Sequence, residues 1–488
     1  MSEGVYGGDE ISALVVDTGS YYTRFGFAGE DAPKVTLSTQ FGKRLNPNYD
    51  PNDTTTTEAT TNNDNTGDED KVVFPNYINK KDQYLYYFDN DLHTPRPNTE
   101  VVEPIKDGIV SDWDAMQRLW DHGLNSCLNI DPTEHPLLMT ENIWNTDENR
   151  TAMLEYAFES LQVPAFYIAK SPACSLFASG KGSGLIVDVG HDTASVTPVI
   201  DGLVLYKPSR RSRYAGKYLN RQIERMISSK DITITPRYLV GSKQPVGAGE
   251  PAIFTKRTVP EPIDSTFHQL EVDRVITEFK ETMVQVRPGE QGPSSEGSGN
   301  SSSQDQTITA RPFEFPDGYN ASFESERCTV VESLFNPREN PLEGEELLDD
   351  DVAKGEKGDS KGDAKSGPEQ VVDKSTSPFI STGISDMIIK CINACDVDIR
   401  ANLANNIVIT GGTSLVQGFT DRVNQDLSQA LAGLKVRIYA PGNTTERRNS
   451  AWIGGSILGS LGTFHQLWIS KKEYQEVGAT KLLEKRFR

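Results

Sequence analysis

Several things are scarce in this chain, and each scarcity closes off a class of function. Cysteine occurs only at Cys127, Cys174, Cys328, Cys391 and Cys395 in 488 residues. Five cannot pair into an even disulfide framework. Cys391 and Cys395 have helical spacing but no second pair and no nearby histidine, which argues against zinc. They read as reduced thiols of an intracellular protein. Long apolar runs are also missing. Residues 450–470 hold no charge, but Gly454-Gly455-Ser456, Ser460, Thr463, His465 and Gln466 interrupt them, so a core helix is expected and not a membrane span. Residues 1–10 are polar and glycine-rich, without the shape of a signal peptide. No phosphate loop of the form G-x-x-x-x-G-K-[ST] occurs; Gly42-Lys43, Gly180-Lys181, Gly216-Lys217 and Gly355 all stand in other company.

Bases are outnumbered, 49 Lys and Arg against 70 Asp and Glu, for a net charge of −21. The excess is local. Residues 46–70 hold seven acids and no base, and residues 339–374 hold twelve acids and five bases. The remainder is only mildly acidic, so it offers no basic stripe for nucleic acid. These two stretches, with the Ser/Gly-rich 288–306, read as three low-complexity inserts too poor in apolar residues to repay the entropy of ordering.

What is present is a repeated motif. Leu14-Val15-Val16-Asp17-Thr18-Gly19-Ser20 and Leu185-Ile186-Val187-Asp188-Val189-Gly190-His191 are both buried-strand runs that end in Asp-x-Gly and lead into a second strand. A single Asp-x-Gly is ordinary turn chemistry. A matched pair, facing each other, would offer amides to phosphate oxygens from two sides and two carboxylates to hydrated Mg²⁺. Around the pair, strands and helices alternate. Helices are predicted at 113–124, 149–161, 171–179 and 272–286, and strands at 136–140, 165–169 and 406–410, with a hairpin turn at Asp201-Gly202. A chain of 488 residues exceeds one ordinary core. The order β-α-β argues for an α/β fold with parallel sheets, in two related halves around a cleft, with ligand at the carboxyl ends of strands.

Asp17-x-Gly-Ser, Gly26-Phe27-Ala28-Gly29, Trp113-Asp114-x-Met116, Glu134-His135-Pro136, Asp396-Val397-Asp398-Ile399-Arg400, Gly411-Gly412-Thr413 and Ser450-x-Trp452-Ile453-Gly454-Gly455-Ser456 resemble the signatures of the actin family over nearly the full length. Val5-Tyr6-Gly7-Gly8-Asp9-Glu10, Trp144-Asn145-Thr146 and the end from Gly462-Thr463-Phe464-His465-Gln466 to Phe487-Arg488 resemble its actin-related protein 4 branch. The resemblance implies an actin-like α/β fold of two ATPase-type lobes and four subdomains. Subdomain 1 would take 1–38, 104–178 and 450–488; subdomain 2, 39–103 with the insert 46–70; subdomain 3, 179–214 and 376–449; subdomain 4, 215–338 with the insert 288–306; an acidic insert would fill 339–375.

It also implies ATP with Mg²⁺, expected as a structural pair in the sense of being retained. Asp17, Gly19, Ser20, Tyr21 and Arg24 would form the first phosphate turn and Asp188 and Gly190 the second, with Gly216, Lys280, Glu281, Gly411, Gly412, Thr413 and Arg448 around the adenosine. Asp17 and Asp188 would reach Mg²⁺ through water. The family's phosphate lysine is Arg24 here, larger and planar. Its water-positioning glutamine corresponds to Ser171 and the assisting histidine to Ser195, both too short to hold a water in line, so no catalytic residue remains and hydrolysis is expected to be very poor. His191 is assigned a local turn contact.

The family's branch implies a nuclear subunit of chromatin-remodelling and histone-acetyltransferase complexes, with the transcription and DNA-repair roles of such complexes. Nuclear actin and a long scaffold helix are the implied partners, the helix gripped in a groove between subdomains 1 and 3. Contact with histones or nucleosomes is left open, and no membrane is involved. No homofilament is expected, because the acidic stretches fall where actin builds dry filament contacts. The competing reading is an active ATPase of the actin, heat-shock or sugar-kinase superfamily, filament-forming or phosphotransferring. A sugar kinase would need a base poised for a hydroxyl, and no candidate stands out.

Overall fold

The buried runs become two sheets that repeat one plan. A computed structural model describes residues 12–47, 49, 83–287, 308–342 and 379–486. In the first sheet the strands lie in the order Ile469–Ser470, Ala165–Lys170, Leu137–Glu141, Leu14–Thr18, Tyr22–Phe27, Val35–Ser38. In the second the order is Leu203–Val204, Ala194–Ile200, Gly184–Val189, Ile407–Thr410, Ile438–Tyr439, with Arg210–Ser212 also on Ala194–Ile200. Each Asp-x-Gly strand folds back on its successor as an antiparallel hairpin and lies parallel to a strand on its other side. The sheets are therefore mixed, not wholly parallel as expected. Turns as short as Asp-x-Gly can join only antiparallel neighbours.

Each sheet has its own core. Leu14, Val16, Phe25, Met116, Trp120, Leu137 and Phe166 belong to one, and Leu185, Val187, Leu219, Ile276, Ile388 and Ile407 to the other. Between the lobes run the helices Ser171–Ala178 and Thr444–Ser460, so close that a Cβ on Gly454 would lie 1.8 Å from the Cys174 carbonyl oxygen. Trp452 is fully buried beside this contact, and its Nε1–H donates to the Val15 carbonyl at 3.0 Å. A small sheet of Tyr84–Tyr87, Phe41–Leu45 and Glu100–Val102 caps the first lobe. Two hairpins, Val240–Gln244 with Ile253–Lys256 and Arg311–Glu314 with Asn320–Phe323, extend the second.

Three helix expectations shift. The helix placed at 272–286 runs Ser265–Met283. Asp264 caps it by accepting from the Thr266 amide, and the polar first turns hid that start. It stops early because Val286 leaves the helix to donate its N–H to the Gln417 carbonyl at 2.8 Å. The uncharged 450–470 is not one helix: Thr444–Ser460 is followed by the 3-10 turns Gly462–Leu467 and the strand Ile469–Ser470. The helix at 149–161 starts at Asp147, capped by Thr146, and widens into a π-turn over Tyr156–Ser160. The Asp201-Gly202 hairpin turn is present, with φ of 49° and 78°. No described helix is long and apolar enough to cross a membrane. The insert 288–306 lies outside the described residues, as do nearly all of 46–70 and 339–374. Beside 46–70 the described flanks meet, since the Asn46 amide donates to the Gln83 carbonyl at 2.9 Å.

Candidate functional site

The two hairpins meet at a cavity of about 550 Å³ between the lobes. Their turns are copies of each other: Gly19 N–H donates to the Tyr22 carbonyl at 3.0 Å, and Gly190 N–H to the Thr193 carbonyl at 3.0 Å. In both, the aspartate lies opposite the residue seven positions on, Asp17 opposite Arg24 and Asp188 opposite Ser195. In both, a threonine on the neighbouring parallel strand donates to it: Thr140 Oγ1 to Asp17 at 2.6 Å and Thr410 Oγ1 to Asp188 at 3.3 Å. The tips touch. Asp192 N–H donates to Ser20 Oγ at 3.3 Å, and the Tyr21 and His191 rings lie 4.7 Å apart.

The electrostatics of the halves differ. Asp17 is paired with Arg24 at 3.0 Å, and Arg24 Nε donates to Asn449 Oδ1 at 2.6 Å, at the non-helical turn inside Thr444–Ser460. Asp188 has no such cation against it. Burial first, then the Asp17 charge, push it up to about 6. Burial holds His191 down to about 3, aided by Lys280 and Lys217, so its ring is neutral. Burial likewise raises the Tyr21 hydroxyl to about 12. A cavity with two carboxylates, one short of positive charge, suits a divalent cation; the paired turns suit an anionic ligand.

Asp17, Gly19, Ser20, Tyr21, Arg24, Asp188, Gly190, Lys280, Glu281, Gly411, Gly412, Thr413, Arg448 and Ser171 all line the cavity. Gly216 and Ser195 do not. Gly216 stands one layer behind, its N–H on the Gly190 carbonyl at 3.1 Å, and a Cβ there would sit 2.7 Å from Thr413 Oγ1. Its part is to let the helix Gly216–Ser228 come close under the second turn, not to face a ligand. Ser195 is buried in the sheet behind Asp188. Ser171 faces the cavity, but its hydroxyl donates to the Glu141 carbonyl at 3.0 Å. Gly411, at φ 90°, passes so near Val189 that a Cβ would meet its carbonyl oxygen at 2.3 Å; only glycine fits.

Three of these residues make contacts that the sequence did not show. The Lys280 head turns to Asn220 Oδ1 at 2.7 Å and the Gly216 carbonyl at 3.4 Å, and burial lowers it to about 8. Glu281 is held by Arg448 at 2.9 Å at the cavity edge. His191 makes more than a local turn contact, because its ring meets Tyr21 of the other hairpin. Sequence reading also missed Thr140, Asn449 and the Ser20–Asp192 bond. The one available signal was that Thr140 and Thr410 both end apolar strand runs, as the aspartates do. No described cluster of three or more His, Cys, Asp or Glu could hold a metal unaided.

With this geometry in hand, comparison with known proteins is informative. The family model for Actin matches residues 8–488. The chain is similar to actin-related protein 4 of Yarrowia lipolytica, 46% identical over 482 residues, covering 99% of this chain and 97% of that one. It is similar to actin-related protein 4 of Emericella nidulans at 38% over 520 aligned positions, covering 99% and 97%. It matches that of Schizosaccharomyces pombe at 37% over 488, covering 100% of both. A duplicated aspartate hairpin, a cleft between twin sheets and full-length likeness agree: the chain belongs to the actin family, within its actin-related protein 4 branch.

Proposed function

We propose that this chain is a non-filamentous, ATP-binding structural subunit of nuclear chromatin-remodelling and histone-acetyltransferase complexes, held with actin on a scaffold helix. The site half of this reading is supported by one observation: twin hairpin turns face the same cavity, while of the two serines at the hydrolytic positions one is bonded to a main-chain carbonyl and the other lies outside the cavity lining. Ser171 already donates to a main-chain carbonyl and Ser195 is enclosed by its sheet. Asp17 and Asp188 would hold Mg²⁺ through water, and the cation would neutralise the phosphate charge. The Ser20, Tyr21 and His191 turns would cradle the phosphates, with Gly411, Gly412 and Thr413 letting the nucleoside lie close to the main chain. The complex-level half rests on the likeness to the actin-related proteins 4 and on the implied properties of that branch.

Denaturing the purified chain and identifying the released nucleotide tests the site. Retained ATP is expected, with single-turnover hydrolysis far slower than that of conventional actin. The double change Ser171→Gln and Ser195→His is expected to raise the hydrolysis rate by about tenfold or more, since positioning dominates this chemistry. Hydrolysis by the unaltered chain as fast as conventional actin sinks the proposal. Filaments sedimenting in Mg²⁺ and KCl would sink its non-filamentous part.

A further inference from the structure

The second sheet ends in an open edge. Its last strand, Ile438–Tyr439, lies parallel to Ile407–Thr410, and among the described residues no strand pairs with its other side. The segment leading through it alternates. Leu434, Val436, Ile438 and Ala440 pack on the core of the second lobe, while Lys435, Arg437 and Tyr439 between them are exposed. That period of two is the signature of a half-buried strand. Hydrogen bonds fix which main-chain groups point inward. Arg437 N–H donates to the Ala404 carbonyl at 2.9 Å, and the Arg437 carbonyl accepts from Ile407 N–H at 3.1 Å. In a parallel pair both main-chain groups of one residue face the same neighbour, so Ile438 and Ala440 turn theirs away from the sheet. Among the described residues nothing meets those outward groups, and no acid pairs with Lys435 or Arg437.

Charges on an open edge guard it against pairing with stray strands. The guard is selective. Lys435 and Arg437 repel a basic strand and gain nothing from a neutral one, but a strand with acids at alternate positions meets both. We propose that this edge is a docking site for an extended acidic peptide of a partner protein, which adds a strand beside Ile438–Tyr439. Its carboxylates lie against Lys435 and Arg437, an apolar side chain covers Tyr439, and its main chain bonds the outward groups of Ile438 and Ala440. Two cations on a chain of net charge −21 are too few to hold a nucleic-acid backbone. The main-chain groups of the edge, together with its charge, therefore select a peptide. Neither Lys435, Arg437 nor Tyr439 lines the nucleotide cavity, so the site goes beyond the ATP-binding reading and does not depend on it.

Fluorescence anisotropy of a labelled, alternating Glu-Val octapeptide tests this on the full chain. Saturable binding is expected. The double change Lys435→Glu and Arg437→Glu should weaken it by about tenfold or more, since two ion pairs become two repulsions. Ala440→Pro removes one outward N–H at an edge position where proline is tolerated. It should weaken binding by about threefold to tenfold, the worth of one hydrogen bond. On the unaltered chain, the same peptide N-methylated at every residue should bind at least about tenfold more weakly, because it keeps its charge and cannot form a ladder. This arm needs no variant to fold. Failure of the unaltered chain to bind the Glu-Val octapeptide overturns the proposal. So does equal binding of the plain and N-methylated peptides, which would reduce the edge to a charged patch. An oligothymidylate that binds more tightly than the peptide and is lost with the same two cations would make the surface a nucleic-acid site instead, and also overturns it.

Discussion

At the scale of single residues, the site is asymmetric where its backbone is symmetric. Asp17 and Asp188 occupy matched places, each with a threonine donor, yet only Asp17 has an arginine beside it. The second hairpin carries Ser195 where the first carries Arg24, and burial, followed by the Asp17 charge, raises Asp188 to about 6. His191 has a cleaner consequence for stability. Its folded value of about 3 lies below the ordinary 6.5 because burial disfavours the charged ring. The unfolded chain therefore takes up a proton first as pH falls, so stability rises with pH between about 3 and 6.5. Relative to the parent, His191→Gln should remove about 1–2 kcal/mol of the stability lost between pH 7 and pH 5. Urea midpoints at the two pH values check this; equal losses in parent and variant would show that His191 is protonated in the fold.

At the scale of elements, the helix Thr444–Ser460 connects nearly everything the site needs. Thr444, Arg448, Ser450 and Ala451 line the cavity, and Asn449 steers Arg24. Trp452 packs with Val15, Leu138 and Cys174 against the first sheet, and the far end exposes Ile457 at 39% and Leu461 just beyond it at 45%. Its Gly454 touches the backbone of the helix Ser171–Ala178 with no space for a methyl. Gly454→Ala, which helical propensity alone would favour, is instead expected to destabilise by about 3 kcal/mol, because backbone and not a flexible side chain stands in the way. Thermal or urea denaturation measures it. A neutral or stabilising result would mean that the two helices are not locked at this distance.

At the scale of the molecule, two large cores are separated by a cleft and bridged by a thin seam, paired helices and scattered polar bonds. Cores with separate apolar interiors unfold separately unless something couples them. Calorimetry of the nucleotide-free chain should show two overlapping transitions. Saturation with ATP and Mg²⁺ at a hundred times Kd should stabilise the folded state by about 2.7 kcal/mol and merge them, since residues of both lobes line the cavity. Two transitions that persist unchanged on saturation would mean that the nucleotide contacts one lobe only.

Local chemistry was enough to announce the hairpins, because an apolar run followed by Asp-x-Gly carries its strand, its turn and its carboxylate in consecutive residues. The strand 406–410, the Asp201-Gly202 turn and the family were legible in the same way, from contiguous strings. Other properties depend on residues far apart in the chain. That Gly216 and Ser195 sit behind the wall, that Lys280 turns to Asn220, and that Leu92 packs against Phe267 are outcomes of how the sheets and helices stack. The pairing of Arg24 with Asn449 spans 425 positions, and no local pattern contains it. Secondary structure follows from short-range sterics and patterning, which the amino-acid order states directly. Burial, partner choice and shifted acidity arise from packing between distant segments, so they come into being only when the lobes close on one another.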